Sequence, residues 1–209
     1  MLKLVVINLK GGTGKTTSAG YFAAALHEMG LPVAGIDADE ENEGFASWAE
    51  EGPLPFPVSK LVVPDLDVRL PGILGDTYEA AVCDTPPMKG NRGVVRGAVR
   101  WASHVVIPMA PTSAEHRRMA EVRSYLDEAL EGRPRPVVAV MFNRVSVRAA
   151  ATGVYRDQLK DEGWYVLRSS VTSIQRYAQA QGDPIKNAMS GPYGFALEEL
   201  FDLTPEVAK

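Results

Sequence analysis

The residues Asn8-Leu9-Lys10-Gly11-Gly12-Thr13-Gly14-Lys15-Thr16-Thr17 bring three glycines, two lysines and three hydroxyl side chains into ten positions. Glycines let a backbone turn its N–H groups inward, where a phosphate can accept from them. A helix beginning near Lys15 adds unpaired N–H groups and the positive end of its dipole. The lysine of a Gly-Lys-Thr stretch reaches the β- and γ-phosphates of a nucleotide, and the next hydroxyl ligates Mg²⁺. Lys15 and Thr16 are expected in those roles, with Thr17 placed to bond the α-phosphate. The bland alternative is a common Gly-rich turn before a helix, with Lys10 a solvated loop charge.

Two acidic motifs stand farther along. Asp37-Ala38-Asp39-Glu40-Glu41-Asn42-Glu43-Gly44 falls where an apolar strand would end. In open α/β sheets, ligands bind at that end of the strands. The competing reading is an acidic helix start, since Glu41 and Glu43 suit the dipole there. The second motif, Ala80-Ala81-Val82-Cys83-Asp84-Thr85-Pro86-Pro87, is a small apolar strand closed by an aspartate. A carboxylate at Asp84 can hold Mg²⁺ directly or through water. The two prolines stop the strand and shape a loop able to sense a γ-phosphate.

The strict phosphate-loop pattern G-x-x-x-x-G-K-[ST] is not met, because Leu9 occupies its first glycine position. What stands there is K-G-G-x-G-K-T-T, the deviant form with a second lysine. Together with Asp37-Ala38-Asp39 and Asp84-Thr85-Pro86-Pro87, it resembles the ParA/MinD group of deviant Walker ATPases. The short, ParF-type ParA proteins of plasmid and chromosome partition are the nearest match in length and pattern. The resemblance spans nearly the whole chain, and the loop and the two acidic motifs carry it.

That resemblance implies a cytoplasmic, nucleoid-associated ATP hydrolase that needs Mg²⁺ and is slow until a partner stimulates it. It implies nucleotide contacts from Lys10, Gly11, Gly12, Thr13, Gly14, Lys15, Thr16 and Thr17. Lys10 would reach the phosphates of a second subunit in an ATP-dependent sandwich homodimer. Lys10, Lys15 and Asp39 would serve catalysis, Asp39 by positioning the attacking water. Thr16, Asp37 and Asp84 would hold or support Mg²⁺. The family's D-x-D-P-Q is altered here, with Glu40 and Glu41 in place of Pro and Gln. That changes the detailed shape of this switch and keeps both aspartates. Asn143, at the end of a later strand, would contact the adenine base, because an amide can donate and accept along its edge. A satisfied turn asparagine is the plain alternative.

The implied partners are non-specific DNA and a small centromere-binding protein of the ParB or ParG kind, with no membrane. The alternative is a MinD-like switch at a membrane, or another ParA-related ATPase that positions a protein machine. MinD-like chains end in a basic amphipathic helix that binds lipid; residues 197–209 here are acidic. A metallocluster ATPase on the same fold needs paired bridging cysteines, and this chain has only Cys83.

Each motif needs a strand to carry it and a helix to follow it. Apolar runs predict strands over 2–7, 32–36, 58–63, 79–84, 103–109, 135–142 and 165–168. Periodicity predicts helices over 18–29, 91–102, 114–131, 149–162 and 191–203, a late helix within 171–185, and a short one around Phe45 and Trp48. Residues 65–76 are ambiguous; Leu66, Leu70, Ile73 and Leu74 could line a short helix interrupted near Pro71. This alternation implies right-handed crossovers and a mostly parallel, doubly wound sheet with helices on both faces. The expectation is a single α/β P-loop NTPase domain over residues 1–209.

Composition agrees with that expectation. Apolar content of 45% in 209 residues suits one full-sized core. A lone cysteine excludes an internal disulfide and fits a reducing cytoplasm. No apolar run approaches the roughly 20 residues that span a bilayer. The first residues enter a strand at once, so no signal peptide is expected. The net charge of −4 is uneven. Between residues 133 and 186 stand nine basic and four acidic residues, against thirteen basic and twenty-two acidic elsewhere. Such a region can offer a local patch to DNA phosphates, with Arg148 and Arg176 as the expected contacts. Arg92, Arg96 and Arg100 fall on one helix face, either solvated or in contact with DNA or a partner.

Overall fold

Seven apolar segments form one sheet in the computed structural model, which describes residues 1–40, 44–52, 54–146, 151–173, 177 and 180–203. The strands are β1 Leu2–Val6, β2 Val33–Asp37, β3 Val58–Lys60, β4 Ala80–Asp84, β5 His104–Met109, β6 Val137–Val145 and β7 Tyr165–Thr172. Their order is β3-β2-β4-β1-β5-β6-β7, and every neighbouring pair is parallel. The expected doubly wound sheet is therefore wholly parallel. Around it lie α1 Lys15–Glu28, α2 Phe45–Glu51, α3 Leu66–Leu74, α4 Arg92–Trp101, α5 Ser113–Ala129, α6 Ala151–Asp161 and α7 Pro192–Phe201.

Alternation along each strand splits the core into two layers. Val5 and Ile7 of the β1 region pack with Leu66, Val95 and Val122, on the α3, α4 and α5 face. Leu4 and Val6 pack with Phe22, Trp48 and Leu197, on the α1, α2 and α7 face. Fully burying each such side chain contributes about 1.5–3 kcal/mol. From β1 the chain crosses toward β2 on one side, and from β4 it crosses back toward β5 on the other. The turn after β1 thus opens at the switch point of the sheet.

Several elements differ from the sequence reading. β6 runs beyond Phe142 to Val145, and β7 runs from Tyr165 to Thr172. α3 continues through Pro71, which gives up the one backbone hydrogen bond it would have donated to the Asp67 carbonyl. Its buried side is Leu66, Leu70 and Leu74, while Ile73 is exposed. Most of the late helix expected within 171–185 lies outside the described residues. Two of the three α4 arginines are engaged with α5. Arg92 donates to Glu128 at 2.6 Å and covers the Tyr125 ring, and Arg100 donates to the Ala129 carbonyl at 2.8 Å. Arg96 stays exposed.

Candidate functional site

Three strand ends meet at one edge of the sheet. Val6 of β1 is in register with Asp84 of β4, and Asp84 with Asp37 of β2. Both aspartates therefore finish their strands beside the turn that leaves β1. That turn is pinned from below: the Asn8 side-chain amide donates to the Pro108 carbonyl at 2.7 Å. It is also stitched to the loop after β4, where Met88 and Lys89 N–H groups donate to the carbonyls of Asn8 and Leu9 at 3.0 and 3.2 Å. Thr85 adds a hydroxyl bond to the Val6 carbonyl at 2.7 Å.

Within the turn, Gly12 and Gly14 have φ of 71° and 88°, the left-handed region that glycine tolerates best. Gly14 is also the N-cap of α1, and a Cβ there would lie 2.2 Å from the Asn143 amide nitrogen. Lys15 opens the helix and turns back into the loop, its ammonium 3.3 Å from the Lys10 carbonyl. Burial holds its pKa below the ordinary lysine value, and Asp84 and Asp39 oppose that shift. A cavity of about 240 Å³ lies over this cradle, walled among others by Gly12, Lys15, Thr16, Asp39 and Pro87. A smaller one of about 110 Å³ shares Gly14, Thr17 and Arg144 with it and is closed by Asn143, Thr172 and Tyr177.

The acidic groups divide the work. Asp84 is fully buried; Thr16 donates its hydroxyl to Oδ2 at 2.6 Å, while Oδ1 has no partner among the described residues. Burial pushes the Asp84 carboxyl up to about 7, Thr16 and Lys15 restrain the rise, and Asp37 and Asp39 add to it. An orphaned, buried carboxylate oxygen beside a hydroxyl is a donor set suited to a hard divalent cation. Asp37 spends both oxygens on backbone: Oδ1 accepts from Asp39 N–H at 3.0 Å and Oδ2 from Ala46 N–H at 2.9 Å. Gly44 leaves room for this, since a Cβ there would approach Asp37 Oδ2 to 2.8 Å. Asp37 thereby fixes the backbone of Asp39, which faces the larger cavity.

The two loop lysines differ in placement. Lys15 lies inside, while the Lys10 side chain is 47% exposed on the rim and pairs with Glu115 at 2.7 Å. Glu115 is itself buried at the start of α5, where it also accepts from Arg118 at 2.8 Å. Nothing in the local motifs singled out Glu115; the available signal was Thr112-x-x-Glu115, in which Thr112 caps α5 by accepting from the Glu115 N–H at 3.3 Å. Asn143 donates to the Thr13 carbonyl at 2.9 Å and accepts from the Arg144 N–H at 2.8 Å. It thus braces the glycine turn and walls the smaller cavity. Arg148 and Arg176, the expected DNA contacts, lie outside the described residues, as does Glu41.

A sequence profile described as the CobQ/CobB/MinD/ParA nucleotide binding domain matches residues 4–184. The maintenance of carboxysome distribution protein A of Gloeobacter kilaueensis is 30% identical over 183 residues, covering 85% of this chain and 79% of that protein. Protein ParA of Rhizobium radiobacter is 30% identical over 148 residues, covering 68% and 64%. The crystal structure of a plasmid partition protein from Borrelia burgdorferi, bound to AMPPNP, superposes with a TM-score of 0.71. It is 17% identical, over 95% of this chain and 96% of that one.

Proposed function

The chain belongs to the CobQ/CobB/MinD/ParA nucleotide-binding family, and from that premise we propose that it is a positioning ATPase of the ParA type, binding ATP with Mg²⁺ and switching between monomer and dimer. The observation that carries this reading is the split between its loop lysines, Lys15 buried within the cradle and Lys10 on its rim. A buried ammonium beside the inward-turned loop is placed for phosphates of its own subunit. An ammonium on the rim can serve a second subunit closing face to face.

Thr16 and Asp84 would hold Mg²⁺, which would neutralise phosphate charge when bound. The Gly11–Thr17 backbone and Lys15 bind and orient the phosphates. Asp39, fixed by Asp37, positions the attacking water. The loop after β4, sewn to Asn8 and Leu9, carries any change at the phosphates into the segment that bears Lys10. Dimerisation then depends on ATP, and hydrolysis reverses it.

The cargo-bearing partners are non-specific DNA and a small centromere-binding protein of the ParB or ParG kind. A second reading is supported by the carboxysome-distribution relatives: the same switch positions a protein assembly instead of a replicon. The two readings share their nucleotide chemistry. Light scattering with nucleotide-affinity measurement tests the common part. Lys15→Ala should lose at least about tenfold in ATP affinity, the cost of a charge-assisted contact. Lys10→Ala should keep ATP affinity and lose ATP-dependent dimerisation and turnover. A Lys10 variant that dimerises and hydrolyses like the parent removes the trans role, and unchanged ATP binding by Lys15→Ala removes the assignment of the loop.

A further inference from the structure

Arg144 holds φ of 56°, one of two positive values outside glycine among the described residues. A bulky side chain in the left-handed region is strained, and such strain gathers at ligand sites. The strain is locally enforced. Phe142 pairs with Ser170 and Val145 with Thr172, so three steps along β6 match two along β7. β6 therefore carries an extra residue at Asn143–Arg144, a bulge of the kind that re-aims a side chain near an active site. The Asn143 side-chain oxygen Oδ1 accepts from the Arg144 N–H at 2.8 Å, while Nδ2 of the same side-chain amide donates to the Thr13 carbonyl in the glycine turn.

The side chain so aimed is exposed, and it lines both the larger cavity over the phosphate cradle and the smaller cavity beside it. No carboxylate among the described residues pairs with its guanidinium. The electrostatics call for such a group. Around the cradle stand Asp37, Asp39 and Asp84 against Lys15, and Lys10 is taken by Glu115. A nucleotide's phosphates entering there bring further negative charge.

We propose that Arg144 is a nucleotide-binding residue, spanning the two cavities and donating to the phosphate next to the nucleoside. The inference rests on the ATPase reading above; Asn143, expected at the adenine base, walls the smaller cavity, and the glycines with Lys15 and Thr16 wall the larger one, so we take the base to lie in the first and the phosphates in the second. The part of a nucleotide that joins those two is the ribose and its first phosphate. Arg144 therefore recognises what ATP, ADP and AMP have in common, unlike Lys15, which meets the outer phosphates.

The test is nucleotide affinity and melting temperature for the full chain and for Arg144→Gly. Glycine adopts the left-handed backbone freely, so the variant should melt at or above the parent's temperature. It should bind ATP, ADP and AMP about tenfold more weakly, with the ratio between them unchanged. Should it melt lower, Arg144→Gln decides, since it keeps the backbone demand and removes only the charge. Parent-like affinity in whichever variant decides overturns the proposal, as does a loss confined to ATP, which would make Arg144 a γ-phosphate sensor. If Lys15→Ala loses affinity and the Arg144 variants do not, the ATPase reading stands and this inference alone falls. A parent that binds no nucleotide ends both.

Discussion

At the scale of single residues, the strand-end cluster holds one carboxylate where ionisation is unfavourable. Asp84 is fully buried, with Oδ1 unpartnered and its pKa raised from 3.8 to about 7. The native state therefore retains a proton that the unfolded chain releases, so native stability falls as pH climbs from about 4 to about 7 and is level above that. Asp84→Asn removes this charge and can still accept from Thr16. In metal-free, nucleotide-free buffer the variant should unfold at higher denaturant than the parent at pH 8, and the gap should close toward pH 4. By the shift, the gap could reach roughly 4 kcal/mol. Its ATP binding should no longer respond to Mg²⁺. A gap that does not change with pH would mean that the ionised carboxylate is accommodated in another way.

The same scale shows what the sequence could reveal. Lys15, Thr16 and the glycines were legible because ten consecutive positions encode a cradle. Asp37 and Asp84 were legible as strand-end acids, but Asp37's use of both oxygens on Asp39 and Ala46 depends on how the following loop returns. Glu115 reaches Lys10 only because β5 places α5 beside the loop. The left-handed backbone of Arg144 has no local signature, since arginine is not a residue that signals it.

At the scale of elements, α4 shows how closely the helices approach the sheet's connections. Gly97 faces the turn before α3, where a Cβ would lie 2.4 Å from the Pro64 carbonyl oxygen and 3.0 Å from the Leu66 nitrogen. Those are backbone atoms and cannot swing aside. Gly93, one turn earlier, would place its Cβ at an ordinary 3.4 Å from the Pro64 side chain. Gly97→Ala should therefore destabilise by about 1–3 kcal/mol, as overpacking does. Gly93→Ala should be neutral or stabilise by up to about 1 kcal/mol through helix propensity. Urea unfolding of both variants checks this, and equal effects would mean that α4 can shift away from Pro64. The strand and helix alternation was plain from apolar periodicity. The extents of β6 and β7 were not, because the Asn143–Arg144 bulge interrupts the apolar pattern without ending the strand. Pro71 reads as a break, yet α3 runs on through it to Leu74, with Leu66, Leu70 and Leu74 buried on one side.

At the scale of the whole molecule, the uneven charge decides how the chain would hold DNA. Several cations of the 133–186 region meet protein groups. Arg133 pairs with Asp67 at 2.9 Å, Arg135 with Asp127, and Arg156 donates to the carbonyls of Leu167 and Arg168. Arg168 shares Glu199 at 3.3 Å. Lys160 is exposed on α6, and Arg148 and Arg176 are the DNA contacts expected from the sequence. If these three each meet one phosphate, the log-log salt slope for one subunit should be near 3, at roughly 0.9 per phosphate. An ATP-dependent dimer would carry twice that set, so its slope should be about double and its affinity far higher. DNA binding is then expected to be weak without nucleotide or with ADP, strong with ATP, and indifferent to sequence. Arg148→Glu and Arg176→Glu should each weaken binding and lower the slope while leaving ATP-driven dimerisation intact. Fluorescence anisotropy with random duplex, repeated over a range of salt concentrations in the three nucleotide states, measures all of this. Equal binding in all three states would leave the basic region a solvated surface and point the ATP switch at a protein cargo. Binding that follows ATP, with variants that match the parent, would move the contact to other cations, beginning with exposed Arg96 on α4.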